Sequence, residues 1–298
     1  MAQKLSESAT PPSRCNQDAD ESSAGGKKRK RKEVFPYGNY RAYYGYRVGK
    51  DAEEDLRFRV LKEEWFKGKD CLDIGCNSGI MTISIAQKFH CKTILGVDID
   101  HERIKDAQRN LQKISKIEKI RECSKNTVNT DALHALNGLE CAKSLSQNKE
   151  RSAYETGHPA LQRSLLDVVS FRHENFVESQ PESPIDHYDT IICLSVTKWV
   201  QLNWGDNGLI KLFTKIWRLL HPGGILILEP QPWKSYCNNR LVTETTAANF
   251  RSIMFYPRYF QEILIDKIGF RAVENAALSV DNTTPGSGFN RPVLVLRK

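Results

Sequence analysis

Apolar positions along the chain fall into two periods. Short apolar runs at 70–74, 93–99, 167–171, 188–194, 225–228, 270–273 and 293–296 read as strands. Between them lie stripes at helical spacing. Ile80, Ile83 and Ala86 mark a helix over 80–89, and Ile104, Ala107, Leu111 and Ile114 mark one over 101–114. Leu209, Leu212, Phe213, Ile216 and Leu219 mark a third over 208–220, and a fourth is expected over 259–268. Strands that alternate with helices imply right-handed crossovers and an α/β fold: a mostly parallel, seven-stranded sheet with helices on both faces. The run 188–194 is apolar enough to be a central strand.

Two stretches break this rhythm. Residues 1–33 are almost free of large apolar side chains, so they cannot offset their own ordering entropy and are expected to be a disordered basic tail. The folded domain is expected over 34–298. Within it, 116–165 is polar and is expected to be a flexible insertion with short helices at most.

Composition narrows the class. Of 298 residues, 40% are hydrophobic, enough for a core, yet no apolar run reaches the roughly 18 residues a bilayer requires. The polar start has no apolar segment of a secretory signal. Neither a membrane nor a secreted protein is expected. None of the eight cysteines forms a C-x-x-C pair, so no metal site is expected. The net charge of +8 favours a polyanionic partner. Six consecutive cations at 27–32 suit nuclear import or attraction to a phosphate backbone.

The candidate chemistry begins where the first strand ends. Asp73-Ile74-Gly75-Cys76-Asn77-Ser78-Gly79 carries the chain from a strand into a helix, at the sheet edge where open α/β folds bind ligands. The spacing is G-x-x-x-G, without the middle glycine of a dinucleotide loop, which disfavours an NAD enzyme. It suits the adenosyl and methionine portions of S-adenosylmethionine, with Asp73 near the methionine ammonium. Asp98 ends the second strand, where a carboxylate can accept both ribose hydroxyls. The fourth strand ends in Leu194-Ser195-Val196-Thr197-Lys198-Trp199 and the fifth in Glu229-Pro230-Gln231-Pro232-Trp233. Both lie on the substrate side, where Leu194 can pack on the cofactor and Lys198 can meet an anion.

Several blocks resemble the methylphosphate capping enzymes, or bicoid-interacting methyltransferases. They are the Tyr/Arg-rich run from Tyr37 to Arg47, the run from Leu194 to Asp206, Leu228 to Trp233, and Gly288-Phe289-Asn290-Arg291-Pro292. The resemblance implies a Rossmann-like class I methyltransferase that moves a methyl group from S-adenosylmethionine to the γ-phosphate at the 5′ end of a small RNA. It implies that Tyr44, Arg57, Gly75, Cys76, Asn77, Gly79, Asp98, Ile99, Asn175, Phe176 and Leu194 hold the cofactor. A phosphate oxygen is already anionic near neutral pH, so no general base is needed and positioning should dominate. Lys198, Arg47 and tyrosine hydroxyls such as that of Tyr44 are the candidate phosphate ligands. Tyr40, Tyr43, Trp199, Trp204 and Trp233 are candidates for stacking on the RNA end. Three alternatives stay open at this point: a 5′-monophosphate RNA methyltransferase, a small-molecule or protein N-methyltransferase, and a protein that sequesters RNA.

Overall fold

The computed structural model describes residues 34–41, 43, 55–136, 163–180, 187–276 and 291–298. Seven strands form one sheet: β1 Asp70–Ile74, β2 Thr93–Asp98, β3 Val169–His173, β4 Tyr188–Leu194, β5 Leu220–Glu229, β6 Ala272–Ala276 and β7 Val293–Arg297. Their order is β3-β2-β1-β4-β5-β7-β6. The pairings from β3 through β5 are parallel, and β7 runs antiparallel to both its neighbours. The chain order reverses between β1 and β4, which opens a crevice at their carboxyl ends.

Strand alternation builds a core on each face. Leu72, Ile191, Cys193, Leu226 and Leu228 point to one side, under Leu212, Phe213 and Ile216 of the helix Thr197–Leu219. Cys71, Ile192, Ile225 and Ile227 point to the other, under Ile83 and Ile85 of the helix Ile80–Phe89. A sheet buried on both faces needs strands that are apolar throughout, which is why β4 and the second half of β5 carry few polar residues.

Beside a short helix Leu165–Val168 where the third strand was expected to begin and a helix expected over 259–268 that is divided into Pro257–Tyr259, Phe260–Glu262 and Ile263–Ile268, three larger departures from expectation stand out. The second helix does not stop near 114 but runs His101–Leu136, into the stretch expected to be flexible. Ile104, Ala107 and Leu111 are buried, whereas Ile117 and Ile120 are exposed. The helix therefore outlasts its apolar stripe, first through a Lys/Glu/Arg-rich run and then through 126–131, whose Asn, Thr, Val and Asp residues are weak helix formers. The remainder of the expected insertion, from 137 to 162, and the basic tail lie outside the described residues. Second, Thr197 to Asp206 is not strand-end loop. It opens the helix Thr197–Leu219, which is broken at Gly205 by a non-helical φ of 63°. Third, helices Trp233–Asn239 and Glu244–Ser252 follow β5, where the apolar pattern marked no element. The second starts at Thr243, whose hydroxyl accepts the Thr246 N–H while the Thr246 hydroxyl accepts the Thr243 N–H. Among the described residues no helix is long and apolar enough to cross a membrane.

Candidate active site

The loop after β1 turns by left-handed backbone at three of five residues: Gly75 (φ 75°), Asn77 (φ 50°) and Gly79 (φ 73°). The Gly75 and Cys76 N–H groups both donate to the Val97 carbonyl, at 2.8 and 3.1 Å, which ties the loop to β2. A Cβ on Gly75 would lie 2.5 Å from Val196 Cγ2. Gly75→Ala therefore combines a left-handed penalty with overpacking and should cost about 2–4 kcal/mol. A shifted urea midpoint would register that loss, and an unchanged midpoint would refute it.

Asp98 completes the loop from the next strand. One carboxylate oxygen accepts the Asn77 N–H at 2.8 Å and the other accepts the Asp100 N–H at 2.9 Å. Burial raises its pKa, against those two hydrogen bonds. Asp73 is buried below the loop, where Thr82 Oγ1 donates to it at 2.6 Å. Burial raises its pKa to about 6, opposed by the Thr82 hydrogen bond and by Arg57.

A cavity of about 690 Å³ opens above the β1–β4 crevice. One wall is Gly75, Asn77, Asp98, Ile99, Asn175 and Phe176. A second wall contains Ser195, Lys198, Trp199, Gln231 and Arg291. A strap formed by residues 35–41 and Tyr43 roofs both. Asn203 Nδ2 donates to the Pro36 carbonyl at 2.9 Å, Asn77 Nδ2 to the Tyr40 carbonyl at 3.3 Å, and the Tyr40 hydroxyl to Asn239 Oδ1 at 3.3 Å.

The second wall is a cationic network around a buried carboxylate. Glu229 is fully buried, 3.5 Å from Arg57 and 3.8 Å from Arg291. The Ser195 hydroxyl donates to Glu229 at 3.1 Å and accepts from Arg291 at 2.9 Å. Ser195 itself holds a left-handed φ of 62°, and its carbonyl accepts from Gln231 Nε2. Such backbone strain in a non-glycine residue clusters at functional sites. Arg57 also chelates Asp55 through contacts of 2.6 and 3.0 Å. Burial would lower its pKa, but Asp55 and Glu229 more than reverse that and keep it charged. Lys198 donates to Ser235 Oγ at 3.0 Å. Burial, and then the charge of Arg291, lower its pKa to about 7.

The expected site residues thus divide. Gly75, Asn77, Asp98, Ile99, Asn175, Phe176, Lys198, Tyr40, Tyr43, Trp199 and Trp204 share the cavity. Asp73, Cys76 and Arg57 are buried outside its lining, as is Leu194, and Gly79 is absent from the lining. Tyr44 and Arg47 lie outside the described residues. Two tryptophans differ from expectation. Trp233 stacks on Tyr236 and Phe250 in a satellite core and is absent from the cavity lining. Trp199 lines the cavity but is already covered. A Cβ on Gly38 would lie 2.0 Å from its Nε1, Tyr40 meets it edge-on at 6.1 Å, and Lys198 Nζ lies 4.0 Å from its ring centre. Trp204 stacks on Tyr37 at 5.8 Å and donates to Glu178 at 3.0 Å. Ser195 and Gln231 are site residues that the sequence does not single out, and Arg291 stands out there only as part of a motif. Serine and glutamine after a strand carry no sequence signal of their own.

This sheet order, with a glycine loop and a buried acid at adjacent strand ends, defines a class I S-adenosylmethionine-dependent methyltransferase. A family model for bicoid-interacting protein 3 matches residues 188–298, and one for ribosomal protein L11 methyltransferase matches residues 54–135. The chain is 53% identical over 272 residues to an Arabidopsis thaliana protein named as a probable RNA methyltransferase, covering 91% of this chain and 83% of that one. It is 33% identical to the U6 snRNA methylphosphate capping enzyme of Drosophila melanogaster, covering 89% and 75%. It is 39% identical to the human 7SK snRNA methylphosphate capping enzyme, covering 92% of this chain but 41% of that longer protein. The chain belongs to the bicoid-interacting protein 3 family of RNA methyltransferases.

Proposed function

We propose that this protein transfers a methyl group from S-adenosylmethionine to the terminal phosphate at the 5′ end of a small RNA. The observation that carries this reading is the second cavity wall. Lys198 and Arg291 line it together, and the carboxylate beside Arg291, Glu229, is already matched by two guanidinium groups. A wall of that charge suits an anionic acceptor and not an amine. The relatives named as methylphosphate capping enzymes and as an RNA 5′-monophosphate methyltransferase support the same acceptor class.

The first wall suits the cofactor. Each Asp98 oxygen takes one backbone N–H and keeps lone-pair capacity for a ribose hydroxyl. Ile99 and Phe176 offer apolar surface to a purine, and glycine at 75 lets the loop pass close against Val196. Asp73 lies beneath the loop as a counter-charge for the methionine ammonium. The cofactor supplies a sulfonium methyl that is already activated. A non-bridging phosphate oxygen bonds to that methyl carbon as the carbon–sulfur bond breaks, and the phosphate loses one negative charge. No proton moves, so the residues of the chain act by holding the phosphate in line and excluding water. Tyr40 and Tyr43 of the strap lie over the RNA end, with Trp204 beside them. Tyr44 and Arg47 are further phosphate ligands by family resemblance. The basic run at 27–32 and the snRNA substrates of two relatives support action in the nucleus.

Mass analysis of RNA ends after reaction, across substrates with one, two or three 5′ phosphates, tests this. Addition of one methyl group to a phosphate is expected. A methyl group mapped to a base, or none on any RNA, refutes it. Asp98→Asn is expected to weaken S-adenosylhomocysteine binding by about 10²-fold, because an amide nitrogen would face the Asn77 or Asp100 N–H. Calorimetric titration measures it, and binding within about threefold of wild type would rule out the assigned role.

A further inference from the structure

The helix Thr197–Leu219 does more than bring Lys198 and Trp199 to the acceptor wall. From its far end Lys215 reaches the turn after β3 that carries Asn175 and Phe176. Its ammonium, with three N–H donors, lies within hydrogen-bond distance of four oxygens there: Ser179 Oγ at 2.8 Å, the Phe176 and Ser179 carbonyls at 3.0 Å each, and Glu174 Oε1 at 3.2 Å. It also lies 4.2 Å from the centre of the Phe176 ring. Phe176 is buried at 7% exposure, yet it lines the cavity. The ring therefore has a cation against it and a ligand space beside it.

We propose that Lys215 is a positioning residue for the cofactor, presenting the Phe176 ring to the purine. Two effects combine. The contacts to main-chain and side-chain oxygens fix the turn that carries the ring, so less ordering is left for the ligand to bring about. The ammonium also draws π density toward itself, which makes the opposite face less negative and a better stacking surface for an electron-rich purine. Glu174 completes the clamp. Its carboxylate accepts from Ser179 Oγ and forms a 2.8 Å or longer ion pair with each of Arg172 and Lys215. This inference rests on the cofactor site proposed above and adds the group that shapes its purine end.

The test is calorimetric binding of S-adenosylhomocysteine to the full chain. Lys215→Met should weaken it about 10-fold, Lys215→Arg should stay within about threefold of wild type, and Phe176→Ala should weaken it by a similar amount to Lys215→Met. The double variant should then lose little more than Phe176→Ala alone, since Lys215 acts through the ring. In turnover assays Lys215→Met should raise KM for S-adenosylmethionine and leave kcat within about twofold. Fully additive losses in the double variant would overturn the proposal, and so would wild-type affinity in Lys215→Met. If Lys215→Met unfolds, Lys215→Gln takes its place in the same cycle with Phe176→Ala, and wild-type affinity or full additivity there overturns the proposal. Wild-type protein that binds no S-adenosylhomocysteine would instead refute the cofactor reading, which keeps the two failures apart.

Discussion

Glu229→Ala is expected to destabilise the protein by about 3–5 kcal/mol, the cost of removing one partner from a buried charge network. Glu229 is fully buried and faces Arg57, Arg291 and the Ser195 hydroxyl. Arg57 would still hold Asp55 at 2.6 Å, so the cost should fall mainly on Arg291 and Ser195. Their displacement would also disturb the acceptor wall, and methyl transfer should fall even where the variant remains folded. Guanidinium denaturation monitored by circular dichroism gives the stability change. A loss below about 1 kcal/mol would mean that water screens the network and that its burial has no energetic consequence.

The second large effect concerns Lys198. Lys198→Met should lower kcat/KM on 5′-phosphorylated RNA by about 10²-fold or more, the typical loss when a preorganised donor to developing or transferred charge is removed. The pH dependence gives the sharper signature. With a pKa lowered to about 7 by burial and Arg291, the RNA-free protein loses the Lys198 charge as pH rises through 7. The terminal phosphate gains its second charge as pH rises through about 6. Affinity for RNA should therefore be greatest between about pH 6 and 7 and decline above it. Lys198→Arg stays charged and should flatten the upper limb. Equilibrium binding of 5′-triphosphorylated RNA from pH 5.5 to 9 checks both. An identical upper limb in wild type and Lys198→Arg would show that another group titrates.

How much of this was legible in the sequence depended on whether a local pattern carried the information. The β1 loop and Asp98 were legible because strand, glycine spacing and acid follow one another within 29 residues, from Asp70 to Asp98. The sheet was legible because apolar runs and helical stripes alternate. The helix His101–Leu136 was not, since beyond Ile114 no buried apolar stripe marks it and 126–131 are weak helix formers. The start of the helix Thr197–Leu219 was hidden by Gly205, whose break separates two stretches that the sequence presents as unrelated. At the site, residue identity was legible but orientation was not. Trp199 was found as a cavity residue, yet nothing in its sequence neighbourhood says that Gly38, 161 positions earlier, would lie against its ring. Trp233 follows the fifth strand just as a site residue would, and only the helix Trp233–Asn239 turns it toward Phe250. Arg291 needed the tertiary meeting of β7 with β5 before its partners Ser195 and Glu229 came into view.

The contact between Lys198 and Trp199 also has an optical consequence. An ammonium 4.0 Å from the ring centre of an indole imposes a local field on that chromophore, and the field vanishes when the lysine sheds its proton or turns toward a phosphate. The chain holds five tryptophans, and Trp199 shares the cavity wall with the one lysine among the residues that line it. The emission of Trp199 is thus a built-in gauge of the acceptor wall, which reports on its charge and occupancy without any added label.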